Sequence, residues 1–401
     1  MRKFVYLVFL HFSLLGVIFI PFSFSYFSFQ SQLTSFLFED IIDAIARHFN
    51  IYIANSEISS DSTTMYLLVL LLFFIALFFT FIIVRVSFWK RNQKQMVQWI
   101  QMVLVYYLSV IILRYGFDKI FMIQFYLPEP NTLYTPLGIL DKDILYWSTM
   151  GSSKAYNLFL GISEVLVAIF LLIKQTRAFG LLLLSSILLN VVLVNLGFDI
   201  SVKLYSSFLF LICLTLLAPA FTSLFQFLIL NKSVQLKIIT GQNLFRSKIL
   251  KLSLKVLLLL FIFAESLLPH IQSTENQHEI SQNKLHGAYE ILKLTDGQKA
   301  EITMTLKPKR LFIHKNNYLI FQYENDAMQD FYFEINIDKR EFILHDYDGQ
   351  TSEIRYEYDE SSKILTLHFV EKDLIIEAKA LLWKELPLLQ PLFHWSVDEI
   401  E

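Results

Sequence analysis

The chain has 401 residues, of which 55% are hydrophobic and only 17% charged, against roughly 25% charged in soluble domains. That composition excludes an ordinary soluble protein and makes lipid the solvent of much of the chain. The formal charge of -2 hides a division: residues 1–267 carry 20 basic and 12 acidic side chains, residues 268–401 carry 14 and 24. An acidic exposed part is the wrong sign for a phosphate backbone, so no nucleic-acid partner is expected. Cys213 is the sole cysteine, which excludes an intramolecular disulfide, a C-x-x-C pair and a cysteine-rich metal site.

Apolar stretches near 4–24, 66–86, 97–117, 157–173, 178–196, 204–230 and 252–268 approach the roughly 20 residues that cross a bilayer core. They predict a polytopic α-helical membrane protein with about seven transmembrane helices, the lipid bilayer being its first partner. Arg2 and Lys3 precede the first stretch as in a signal peptide, but the run is long, Phe-rich and lacks an A-x-A-like site, so it is read as a retained helix. With the N-terminus cytoplasmic, the inner segments hold fourteen Lys and Arg and the outer ones five. An odd number of spans then exports the C-terminal domain to the extracytoplasmic side.

Two outer connections exceed simple turns. In the first, Phe36, Leu37, Ile41, Ala44, Ile45 and His48 recur at helical spacing, which predicts an interfacial amphipathic helix from Leu33 to Phe49. The second, 127–156, opens on Leu-Pro-Glu-Pro-Asn and ends with Tyr146 and Trp147, aromatics suited to a membrane–water boundary. Past the last span, 270–284 is polar and aperiodic and reads as a tether. From about Leu285 the period becomes two, in 300–306, 330–337, 353–358 and 364–369, with turn signals at Asp296-Gly297, Asn316-Asn317 and Asp348-Gly349. About eight short strands predict an antiparallel β-rich domain, a small barrel or a sandwich. The expected divisions are 1–96, two helices with an outer interfacial segment; 97–230, a four-helix unit; 231–284, a cytoplasmic loop, last helix and tether; and 285–401, the exported β-domain.

Ionisable groups inside spans cost a few kcal/mol each and need a reason. Arg114 and Asp118 lie one turn apart, next to Lys119, toward the outer end of the third span. Glu164 lies roughly 10 Å inside the fourth span at 1.5 Å per residue, and the fifth adds Asn190 and Asn195, with Asp199 at its outer turn. One reading gathers Arg114, Asp118, Lys119, Glu164, Asn190, Asn195 and Asp199 into an outward-facing polar pocket, with Arg114 facing Glu164. The other has Arg114, Asp118 and Glu164 merely tying helices together. His11 and Glu265 have no neighbour in sequence to pair with and read as structural. Phe393-His394-Trp395 reads as an aromatic anchor. His270, His278, His286, His314, His345 and His368 show no ligand spacing, so no metal site is expected. No catalytic constellation stands out.

Leu113-Arg114-Tyr115-Gly116-Phe117-Asp118-Lys119, then Gly161-Ile162-Ser163-Glu164 with Leu171-Leu172, then Thr176-Arg177 make residues 97–230 resemble the DoxX-like family of bacterial membrane proteins, built on four transmembrane helices. The resemblance covers about a third of the chain and maps Arg114 and Glu164 to the family's polar positions; the long 127–156 loop departs from its compact form. It implies a bacterial inner-membrane protein, a quinone as the cofactor that a redox-linked complex would supply, and partner subunits in that complex. Against it stand a membrane anchor whose β-domain binds a partner or envelope component, and a small-solute transporter, disfavoured because matching Gly/Pro-broken helices are absent.

Overall fold

The computed structural model describes residues 1–22, 29–234, 239, 253, 256–257, 259–269, 285–296, 306–336, 339–346, 349–371, 374–391 and 395–396. The chain divides into two compact units that do not follow chain order. The first comprises Met1–Gln124 and Ala155–Ile271, the second Phe125–Lys154 and Gln272–Glu401. The 127–156 connection thus belongs almost wholly to the β-domain's unit, where the sequence assigns it to the four-helix unit.

The first unit is helical. Helices α1 (Arg2–Phe19), α2 (Phe29–Phe49), α3 (Thr63–Ile83) and α4 (Ser87–Ile120) are followed, after an excursion into the second unit, by α7 (Lys154–Leu172), α8 (Arg177–Gly197), α9 (Lys203–Leu217) and α10 (Phe221–Leu228). Six membrane-length apolar helices are present among the described residues, α9 and α10 together counting as one. Of the seventh expected span, 252–268, the helix Leu259–Pro269 is described. The positions Lys237, Arg246, Lys248, Lys251 and Lys255, the tether with His270 and His278, and most of 300–306 lie outside the described residues.

Why these stretches are helices follows from length and burial. α3 is apolar all round, burying Leu68, Leu72 and Ala76 at every fourth residue while Phe74, Phe78 and Phe81 stay exposed, the pattern of a helix with lipid on one side. Small residues set the closest crossings. A Cβ on Gly161 would stand 2.6 Å from the Gly116 carbonyl oxygen, and one on Gly116 2.9 Å from that of Gly161. Glycine at both positions lets α4 and α7 touch backbone to backbone. Helix α2 turns Thr34, Phe38, Ile42 and Ala46 inward. It leaves Phe36, Leu37, Ile41 and Ala44 exposed, the apolar face the sequence assigned to a membrane interface.

The second unit is a closed barrel of eight antiparallel strands in sequence order: β1 (Gly287–Asp296), β2 (Pro308–Ile313), β3 (Tyr318–Tyr323), β4 (Met328–Asn336), β5 (Glu341–His345), β6 (Thr351–Asp359), β7 (Ile364–Phe369) and β8 (Leu374–Ala380). Of the two forms expected, the barrel is the one adopted, and closure through β1–β8 pairing leaves no free edge. The interior holds Tyr289, Leu311, Leu319, Phe333, Phe342, Ile354, Leu365 and Leu367. Tight turns take left-handed backbone at Asn317 (φ 61°) and Gly349 (φ 77°), where the turn signals stood.

Strands β1, β2 and β3 are apolar on both faces. Ala288, Phe312 and Ile320 point outward and are covered by Leu133 and Tyr134, by Trp383 and by Leu386 and Leu389. Leu133 closes a short helix α5 (Pro130–Leu133), and α6 (Lys142–Gly151) follows it. The Tyr134 ring stacks on Phe312 at 6.0 Å, its carbonyl accepts a hydrogen bond from Gln322, and Arg310 lies 4.9 Å from the ring. The 125–154 segment is therefore a built part of the barrel unit.

Candidate functional site

The polar residues singled out in the helices come together only in part. Lys119 Nζ donates to both oxygens of Glu164, at 3.0 and 2.8 Å, and both side chains are buried. This corrects the expected partner: Arg114 faces Glu265 at 3.8 Å and not Glu164. Arg114 and Lys119 are five residues apart, about 140° around a helix of 3.6 residues per turn, so they address different neighbours. Glu265, read as partnerless, is the second acid of the set. Asn195 donates to Ser206 and is buried, tying α8 to α9. Asn190 is exposed on α8. Asp199 is 83% exposed and pairs with Lys203 at 2.8 Å; neither it nor Asn190 joins a site with Glu164. Asp118 is half-buried beside Lys119, and its carbonyl caps the turn by accepting from Ile123 and Gln124.

Toward the start of α4 from the Lys119–Glu164 pair, Tyr107 and Tyr205 share a 2.8 Å hydrogen bond inside the helices, and Lys119 lies 5.7 Å from the Tyr115 ring. Arg177, part of the family-like pattern, is buried; its Nε donates to the Leu171 carbonyl at the end of α7 and Nη1 to that of Ile239. That is a helix C-cap made by a side chain. His11 donates from Nδ1 to Thr80 Oγ1 at 2.8 Å, because the Thr80 hydroxyl hydrogen is already given to the Ala76 carbonyl.

The barrel's two ends are chemically distinct. An up-and-down barrel places the β1–β2, β3–β4, β5–β6 and β7–β8 connections at one end and the remaining turns at the other. At the second end Glu129, buried at 5% exposure, sits among cations. Its Oε2 lies 2.9 Å from His286 Nε2 and 3.7 Å from His314 Nε2, and its Oε1 3.0 Å from Lys315 Nζ. Burial alone would raise the Glu129 carboxyl, but the His286 hydrogen bond and the charges of His314, Lys315 and His286 outweigh it and bring it down to about 2. Burial, outweighing the attraction of Glu129, lowers His314 below its ordinary value. His314 Nδ1 accepts from the Asn316 amide, which leaves Nε2 as the protonated nitrogen facing Glu129. Sequence reasoning missed this cluster; its signal was a carboxylate held between Pro128 and Pro130, opposite histidines that had been tested only for metal spacing. Among the described residues no group of three or more metal-ligating side chains is arranged to hold an ion.

The first end holds a cavity among the described residues. A cavity of about 350 Å³ is lined by Leu294, Phe321, Phe331, Leu344, Phe369, Leu374 and Ile376 on its floor and walls, within the size range of small-molecule sites. Phe321 packs against Phe331 at 6.2 Å and against Phe369 at 6.5 Å, making one aromatic wall. The rim is polar: Tyr323, whose hydroxyl donates to Gln329 at 2.9 Å, with Asp346, Gln350, Ser352 and Glu371. The strands position these groups by alternation. Phe331 and Phe333 point inward while Tyr332 between them is exposed.

No family model and no solved structure matches the chain. Over 71 residues it is 44% identical to the uncharacterized protein YwoB of Bacillus subtilis (strain 168); the stretch is 18% of this chain and 46% of that protein. The chain thus spans about half the length of the curated relative it matches.

Proposed function

We propose that this chain is a membrane-anchored binding protein, in which the apolar helices hold a β-barrel at the membrane and the barrel's mouth receives a small amphipathic molecule. The observation that carries the reading is the apolar cavity with a polar rim at one end of a closed barrel whose outer β1–β3 wall is covered in part by the 125–154 segment. The Lys and Arg distribution of the helix connections supports an extracytoplasmic barrel in a bacterial inner membrane. The mostly apolar lining with a polar rim suits binding of a small molecule and its presentation to a partner in the envelope. Purifying the chain from native membranes, extracting it and identifying what it carries by mass spectrometry tests the reading. A discrete small molecule retained by the native chain and lost from Ser352→Trp, which fills the lip, is the expected result; identical lipid extracts from both would overturn it.

A second reading rests on a separate observation. The Tyr107–Tyr205 hydrogen bond and the Lys119–Glu164 pair beside the Tyr115 ring place polar groups along α4 against α9 and α7, and the DoxX-like resemblance of 97–230 gives such groups a place in quinone-linked proton or electron transfer. In that case the redox centre belongs to a partner subunit and these groups move protons for it. Copurification of a redox-active subunit with the full chain favours this reading over the first.

A further inference from the structure

By the Lys and Arg count, the inner side of the helical unit is made by 1–3, 84–96, 173–177 and 231–255, which hold fourteen basic residues and no Asp or Glu. Such an excess orients a membrane protein, and cations that serve this end stay in water. Arg2, Lys3, Arg85, Lys90, Arg91 and Lys94 are accordingly exposed. Arg177 differs, at 3% exposure. A guanidinium buried so deeply keeps its charge and is costly unless an anion faces it. Among the described residues no carboxylate does. Its Nε donates to the Leu171 carbonyl, and its Nη1 to the Ile239 carbonyl at 2.6 Å and the Met102 sulfur at 3.3 Å, all neutral acceptors. The chain around Ile239 has none to offer, since no acid occurs from 200 to 264.

The same side chain borders a cavity of about 170 Å³ between α4, α8 and the end of α9. Gln98 and Gln101 of α4 bring amides to its lining, and Leu181, Leu216 and Leu217 an apolar wall. Arg177 and Ala178, the first two residues of α8, also line it, so the positive end of that helix's dipole lies at the cavity. Buried cation and helix end both favour an anion, and the apolar wall strengthens the attraction by keeping water away. Volume and depth narrow which anion. Sites for whole small molecules begin at roughly 300 Å³, so this cavity takes a charged group and not an entire amphiphile. Arg177 opens a 21-residue apolar helix, and the end of a membrane-length helix stands at the level of lipid phosphates. Guanidinium matches two phosphate oxygens at once.

We propose that the cavity between α4, α8 and α9 is a phosphate site, filled by the headgroup of an anionic phospholipid that pairs with Arg177 beside the Gln98 and Gln101 amides. The phosphate supplies the counter-charge that the chain withholds from Arg177, and the acyl chains stay in the bilayer. This site lies wholly in the helical unit and stands or falls independently of the barrel cavity.

The test uses the full chain in a neutral detergent, titrated with dioleoylphosphatidylglycerol, dioleoylphosphatidylcholine, oleate or inorganic phosphate, with adducts counted by native mass spectrometry. Phosphatidylglycerol is expected to bind as a single adduct roughly tenfold more tightly than phosphatidylcholine, whose own ammonium offsets its phosphate. Gln98→Glu puts a carboxylate into the cavity with little change of shape and should remove that preference. Arg177→Gln should do the same where it folds. The Lys90→Gln/Lys94→Gln variant, altered only at exposed cations, should keep it. Inorganic phosphate should fail to displace the lipid; displacement would keep the phosphate site and move its source from lipid to solution. Equal binding of the two phospholipids, an unchanged preference in Gln98→Glu, or its loss in the lysine variant overturns the site. Oleate binding as tightly as phosphatidylglycerol overturns the choice of phosphate.

Discussion

Lys119 and Glu164 neutralise each other at 2.8–3.0 Å where neither is open to water, so removing one strands the other. Lys119→Met or Glu164→Gln alone should cost roughly 3–5 kcal/mol, and the double variant clearly less than the sum; melting curves of the solubilised chain measure it. Additive losses would show two independent groups. That Glu164 is buried and needs a partner was legible from its position in an apolar run. The partner was not, because Arg114–Asp118 spacing drew attention to one face of α4 while Lys119 occupies another. Glu129 carries the second residue-scale prediction. Its folded carboxyl sits near 2 against an ordinary 4.5, so its stabilisation is complete above about pH 4.5 and is lost as pH falls toward 2. His314, held below its ordinary value, adds a loss in the same direction, because below about 6.5 the unfolded chain takes up that proton first. Glu129→Gln should therefore lower the barrel's stability at pH 7 by roughly 1.5–3 kcal/mol and flatten its decline between pH 5 and 2.5. Thermal transitions of native and variant across pH check both; parallel pH curves would contradict the assignment.

At the scale of elements, strand positions were legible from alternation and from Asn317 and Gly349 turns, but closure was not. A meander has the same alternation whether its ends pair or stay apart, and only the β1–β8 register, Tyr289 opposite Ala380 through Asp296 opposite Leu374, decides. Nor does alternation show that β1–β3 bury both faces; Tyr318-Leu-Ile-Phe-Gln-Tyr323 is a continuous apolar run that signals it, though it names no cover. Part of the cover is Trp383, Leu386 and Leu389 just past β8; the rest is 125–154, far away in sequence. A fragment of residues 285–401 should thus form strands yet expose Phe312 and Ile320, bind a hydrophobic dye and self-associate. Adding a peptide of residues 125–154 should suppress both, and Tyr134→Ala in that peptide should weaken its effect by roughly 3 kcal/mol. Circular dichroism, dye fluorescence and sedimentation read the outcome. A fragment that is monomeric and dye-silent by itself would show the outer face needs no cover.

Across the whole molecule, composition told the broad division, lipid-facing helices and an acidic β-domain, because burial in lipid and burial in a barrel leave different periods in sequence. It did not tell where a ligand could go. Of the intramembrane polar residues that looked most like a pocket, Lys119 and Glu164 pair with each other while Arg114, Asn195 and Asp199 turn to Glu265, Ser206 and Lys203, whereas the barrel mouth is made from phenylalanines that in sequence are indistinguishable from core. What separates them is position on a strand next to a turn, known only once the strands are closed. The central claim is that the mouth, and not the outer wall, contacts a small molecule. Phe331 lines the cavity and its neighbour Tyr332 is exposed on the opposite face, so replacing each in turn by 4-azidophenylalanine gives a near-isosteric pair of photo-probes one residue apart. Irradiation of native membranes followed by intact mass measurement should give a small-molecule adduct at position 331 and none at 332; equal adducts at both, or none at 331, would contradict the account.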